Sequence, residues 1–266
     1  MNRFASFILL FVLVADSTAS ASAPERVISL DYCADQFVLK LLPRLRILAL
    51  SPDADRDFSY MRSAADGVPQ VRPVAENVLI LHPDLIVRSY GGGPHATGFF
   101  ERAGIPVLQV PYANNLDDIR VSILMLAERL GVPERGAEVV ADMHRRLGNL
   151  RSDAARRSAL YMTPTGVTSG PGTLVHDMLQ AANLENFEQR PGWYSLPLER
   201  LAYEQPDLVA AAFFGANTVY PSMWSAMRHP VAKRQLSEQP SVMLRGAWTS
   251  CGGWFILDAI EALAAP

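Results

Sequence analysis

From Arg26 onward, short apolar runs alternate with stretches in which apolar residues recur at helical spacing. Val27-Ile28-Ser29-Leu30 predicts a strand, Asp35 to Leu42 a helix stopped by Pro43, and Ile47 to Leu50 a second strand. A short helix over Val78 to Leu81 and a strand over Leu85-Ile86-Val87 follow, closed by Gly91-Gly92-Gly93-Pro94. Phe99 to Ala103 predicts another helix and Ile105 to Val110 another strand. Strands alternating with helices imply a parallel sheet covered on both faces.

The pattern then changes. Ile119, Ile123, Leu126 and Leu130 repeat at helical spacing until Gly131 ends the run. Pro133 opens a further helix with Ala137, Val140, Ala141, His144, Leu147 and Leu150 along one stripe. Extended to Arg156, that helix would measure roughly 36 Å, long enough to act as a strut. Beyond it the alternation restarts, with a strand at Ser158 to Met162 and a helix at Thr173 to Ala182. A buried strand at Leu208 to Phe214 and a terminal helix at Phe255 to Ala264 complete it.

One repeated segment ties the halves together. Glu76, six residues, then Pro83-Asp84-Leu85 matches Glu199, six residues, then Pro206-Asp207-Leu208. Each Glu opens a short helix, Pro-Asp turns the chain, and the apolar run enters a sheet. A duplicated module implies two related lobes. The predicted plan is α/β, with a lobe at residues 24–115, connecting helices at 116–157 and a second lobe at 158–266.

The first residues add a compartment. Arg3 precedes an apolar run from Phe4 to Ala15, and small residues lead to Ala21-Ser22-Ala23. A dozen apolar residues fall short of the roughly 20 that span a bilayer. The segment 1–23 therefore reads as a signal peptide cut after Ala23, with Ala21 the alternative, and the mature chain as periplasmic in a Gram-negative cell. The formal charge of −3 and the absence of basic runs argue against nucleic acid as a partner. Cys33 and Cys251 are the two cysteines; an exported chain permits a disulfide, and buried thiols fit equally well.

At Arg26-Val27-Ile28-Ser29-Leu30, the Pro-Asp-Leu strand entries, Gly104-Ile105-Pro106-Val107 and Gly131-Val132-Pro133-Glu134-Arg135, the chain resembles the helical-backbone periplasmic binding proteins of the Fe/B12 group. The resemblance covers nearly the whole mature chain. It implies two α/β lobes joined by one long helix, with a cobalt- or iron-containing chelate held between them: a corrinoid, a ferric siderophore or haem. It also implies a monomeric carrier that serves an ABC permease dimer with its ATPase subunits and needs no cofactor. In that family an acidic residue on each lobe docks with permease arginines, and Glu76 and Glu199 stand at those positions.

Ligands of open parallel sheets sit beyond the carboxyl ends of the strands. Those ends nominate Tyr32, Tyr60, Arg88, Ser89, Tyr90 and Trp248, and a Pro-Gly loop adds Trp193 and Tyr194. Aromatic rings suit a bulky ligand with faces and edges, and Arg88 suits a carboxylate or phosphate. Two other classes fit less well. A free Zn or Mn binder would need converging ligands, and the five histidines show no close metal-ligand spacing. An enzyme would need a nucleophile, but Gly166-Val-Thr-Ser-Gly170 carries Thr168 where an elbow needs Ser.

Overall fold

The computed structural model describes residues 22–150, 154–212 and 225–265. Residues 1–21 of the expected signal segment 1–23, and Phe213 and Phe214 of the expected strand end, lie outside the described residues. The chain builds β1 (Val27–Ser29), α1 (Tyr32–Leu41), β2 (Ile47–Ala49), α2 (Ala75–Leu79), β3 (Leu85–Arg88), α3 (Ala96–Arg102) and β4 (Val107–Gln109). These strands form a wholly parallel sheet of order β2-β1-β3-β4. Its central members β1 and β3 are buried along their entire length, as expected for strands covered on both faces.

Two helices follow, α4 (Leu116–Arg129) and α5 (Pro133–Asn149). The second lobe contains β5 (Arg157–Met162), β6 (Val167–Ser169), α6 (Leu174–Ala181), β7 (Leu184–Asn186), β8 (Trp193–Ser195), α7 (Leu198–Leu201), β9 (Leu208–Ala212), α8 (Pro230–Glu238), β10 (Ser241–Leu244), α9 (Gly246–Thr249) and α10 (Ile256–Ala264). Its parallel sheet has order β7-β5-β9-β10, which repeats the first. In both lobes the order reverses between the two central strands, opening a crevice at their carboxyl ends.

The repeated Pro-Asp explains part of this likeness. Asp84 donates its backbone N–H to the Arg26 carbonyl at 3.1 Å, and its carboxylate accepts from the Arg26 N–H at 3.0 Å. Asp207 does the same with Ser158, at 3.0 and 2.7 Å. Each aspartate thus fixes the entry of one central strand against its neighbour. Charge-assisted bonds of this kind are stronger than neutral ones.

α5 joins the lobes. Its first turn is pinned to the first lobe, where Arg135 donates to the Lys40 carbonyl at 3.2 Å. Near its end Arg146 bonds Asp258 and Glu261 of α10 at 2.6 and 2.7 Å. Gly136 lets α5 approach α4, because a Cβ there would stand 2.5 Å from that of Ala127. The helix is shorter than the stripe suggested. It covers 17 residues, about 25 Å, and stops where Leu150 N–H bonds back only to Leu147, three residues earlier, and leaves helical geometry.

One buried apolar cluster runs through both lobes, linking Phe37 of α1 to Trp254 and to Ile260 of α10. Phe37 and Trp254 meet edge to face at 5.6 Å. Cys33 and Cys251 are joined as a disulfide, with Cα atoms 5.6 Å apart, so the open choice between bridge and thiols closes on the bridge.

Candidate functional site

Asp31 organises the first lobe's half of the crevice. It follows β1 and caps α1, where one carboxylate oxygen accepts from Ala34 N–H at 2.9 Å. The other accepts from the N–H groups of Ser89, Tyr90 and Gly91, at 2.7, 3.0 and 2.8 Å. One buried side chain therefore holds the loop after β3 against the start of α1. Gly91 makes this approach possible, since a Cβ there would lie 2.3 Å from the Leu30 carbonyl oxygen.

The arrangement aims Tyr32 and Tyr90 at each other, ring centroids 5.9 Å apart and nearly perpendicular. Burial raises the pKa of both hydroxyls above the ordinary phenol value, and a hydrogen bond from Tyr90 opposes the rise at Tyr32. Both are neutral donors at physiological pH.

Across the gap, Tyr161 of β5 packs edge to face with Trp193 of β8 at 6.1 Å. Together the two sides enclose a cavity of about 440 Å³. Tyr32, Ser89, Tyr90 and Tyr112 come from the first lobe, while Tyr161, Thr163, Met178, Trp193 and Thr249 come from the second. The Cys33–Cys251 disulfide forms part of its wall. The volume lies within the range of small-molecule sites, roughly 300–1,000 Å³, and the lining has the usual mix of apolar bodies and few polar tips.

Of the eight nominated ligand residues, Tyr32, Ser89, Tyr90 and Trp193 line this cavity. Trp193 and Tyr194 are not loop residues: β8 pairs antiparallel with β6, placing Trp193 opposite Ser169 and Tyr194 opposite Thr168. Successive strand residues face opposite ways. Tyr194 accordingly leaves the cavity and carries the Arg190 guanidinium 4.5 Å above its ring.

Arg88 requires correction. It is buried, and its guanidinium donates to the Gly91 carbonyl at 2.8 Å, the Thr97 hydroxyl at 2.8 Å and the Gly93 carbonyl at 3.0 Å. Its donors stitch the glycine loop together and are not turned toward a ligand.

Tyr60 and Trp248 line a second interlobe cavity of about 590 Å³, with Arg62 and Arg245. A hydrogen bond from the Ser250 hydroxyl to the Phe58 carbonyl, 3.1 Å, ties the two lobes between these spaces. Tyr60 donates to Asp258 at 2.9 Å and stacks on Phe255; burial first, then Asp258, pushes its hydroxyl up to about 12.

Sequence reasoning missed Tyr112 and Tyr161. Tyr112 stands just beyond β4, so the strand-end rule reaches it. Tyr161 lies inside β5, and only the alternation of that strand marks its direction. Glu76 and Glu199 are exposed, each the second residue of its short helix. Among the described residues, no group of three or more His, Cys, Asp or Glu could hold a metal ion.

A sequence-family profile for periplasmic binding proteins matches residues 50–218. The "Vitamin B12-binding protein" of Pectobacterium atrosepticum is 25% identical over 206 residues, 72% of this chain and 73% of that protein. Among solved structures, a "Periplasmic Heme Binding Protein" from Pseudomonas aeruginosa superposes with TM-score 0.67 at 20% identity, covering 91% of this chain and 92% of that one. The "periplasmic Vitamin B12 binding protein BtuF" of Vibrio cholerae gives 0.64 at 21% identity, covering 91% and 96%. At these identities the structural likeness is one of fold.

Proposed function

Because the chain belongs to the periplasmic binding protein family, a family of carriers and not of enzymes, we propose that it captures a metal-bearing chelate between its lobes and hands it to an ABC importer. The observation that carries this reading is the interlobe cavity walled by Tyr32, Tyr90, Tyr112, Tyr161 and Trp193. Flat aromatic faces with hydroxyl tips match a ligand that is itself a broad ring with polar edges. Relatives named for vitamin B12 and for haem point to the same ligand class, a metal-centred tetrapyrrole. Ferric siderophores remain in the test set as chelates of comparable bulk.

Tyr32 and Tyr90 line the cavity as neutral hydroxyl donors, which suits the polar edge of such a ring. The experiment is native mass spectrometry against haemin, cyanocobalamin, cobinamide and ferric siderophores, backed by visible titration. The reading expects one-to-one binding of at least one chelate. No chelate bound at micromolar concentration would refute it.

Delivery assigns roles to the repeated glutamates. Glu76 and Glu199, one on each lobe, meet cationic side chains on the two halves of the permease, which steers encounter and fixes orientation. Reversing both charges should abolish uptake while chelate affinity stays intact. Lost affinity instead would remove the docking role. The same reading takes segment 1–23 as a cleaved export signal and the mature protein as a periplasmic monomer.

A further inference from the structure

The two copies of the repeated segment agree at their surfaces as well as in their cores. Two residues beyond each glutamate lies a fully buried anchor, Val78 or Leu201, both 0% exposed. Four residues beyond each lies an apolar side chain turned outward, Ile80 at 73% and Tyr203 at 92% exposure. A single exposed apolar residue is ordinary on any protein. Two at the same register of a duplicated unit need a common cause, and packing does not supply one.

In each copy the apolar residue follows its glutamate by about one turn, Ile80 as the cap of α2 and Tyr203 just past the cap of α7. Ile80 N–H bonds to the Glu76 carbonyl, and Tyr203 N–H closes the turn onto Arg200. Residues about one helical turn apart share a face. Arg200 does not neutralise Glu199, because it pairs with Glu204 and donates to the Phe187 carbonyl. Each lobe therefore displays one available negative charge beside one exposed apolar knob.

We propose that Glu76 with Ile80, and Glu199 with Tyr203, form two composite anchors for a membrane partner built from two equivalent subunits. Each subunit offers a cationic side chain to the carboxylate and an apolar socket to the knob. A surface unit present twice, with the same spacing and charge sign, fits a partner that repeats its complement twice. The inference rests on the docking role proposed above and divides the work within it. The charges govern encounter, whereas the knobs, once desolvated in their sockets, govern residence time.

The test uses the full mature protein and its permease–ATPase complex reconstituted in lipid nanodiscs, with association and dissociation followed by interferometry. Ile80→Ser with Tyr203→Ser should speed dissociation about 30-fold while association stays within roughly threefold. Ile80→Leu with Tyr203→Phe should keep the wild-type residence time. Glu76→Gln with Glu199→Gln should slow association and flatten its salt dependence. Val121→Ser removes an apolar side chain 66% exposed outside the repeat and should change nothing. Melting temperatures matching the wild type confirm that these surface changes leave the fold alone. Dissociation unchanged in the Ser pair, with association still slowed in the Gln pair, would overturn the composite anchor and leave the docking glutamates standing. No effect from either pair would remove both.

Discussion

Replacing Cys33 and Cys251 together by Ser removes a covalent tie between the lobes at the wall of the cavity. The bridge spans 218 positions of sequence. Closing a loop of that length in the unfolded chain costs about 5 kcal/mol of entropy, while measured disulfide contributions cluster near 2–4 kcal/mol. A loss of about 3 kcal/mol should lower the urea midpoint by roughly 1–3 M, given slopes of about 1–3 kcal/mol per molar. The assay is equilibrium unfolding followed by fluorescence, since Trp254 packs against Phe37 in the buried cluster next to the bridge. Wild type treated with a thiol reductant should match the double variant, and the reductant should leave the variant unchanged. Midpoints of oxidised wild type and variant within about 0.3 M would refute the reasoning. The bridge would then add nothing to the noncovalent joint.

Three further outcomes follow from the same geometry. Asp31→Ala strips the acceptor from four backbone N–H groups, so thermal scans should show a loss of about 3 kcal/mol, and chelate affinity should drop at least tenfold as Tyr90 moves. Asp35 is buried and, by burial above all, its pKa rises to about 7 despite bonds to Ser51. The folded state then holds a proton that the unfolded state loses near pH 4, so stability declines from about pH 4 to pH 7 and levels off above; urea midpoints of Asp35→Asn should lack that decline. Trp193→Ala should weaken chelate binding roughly tenfold, whereas Trp248→Ala, which alters the neighbouring cavity, should leave it within about twofold; paired titrations separate the two spaces.

Much of the fold was legible because hydrophobic periodicity is local. β9 is apolar throughout, β1, β3 and β5 each carry an apolar stretch of two to four residues, and the Glu-to-Pro-Asp-Leu repeat marks a duplicated lobe. The site was harder to read. Strand ends nominated Tyr32, Ser89 and Tyr90, and the Pro-Gly loop Trp193, all of which line the crevice, but position along a chain does not fix side-chain direction. Arg88 stands at such an end and still turns into its own glycine loop, where three carbonyl and hydroxyl acceptors would otherwise be left without its donors. Tyr194 differs from Trp193 by one step of strand alternation, which a loop reading could not anticipate. The Cys33–Cys251 pair joins residues that only tertiary packing brings together, and no spacing rule reaches across 218 positions.

The central claim is that the gap between two copies of one module receives a metal chelate. Crystals grown with the tightest-binding chelate, measured at the absorption edge of its iron or cobalt, locate the metal by anomalous scattering. The account predicts one peak in the cavity between Tyr90 and Trp193. A peak beside Tyr60 and Trp248, or on the outer surface of either lobe, would contradict it.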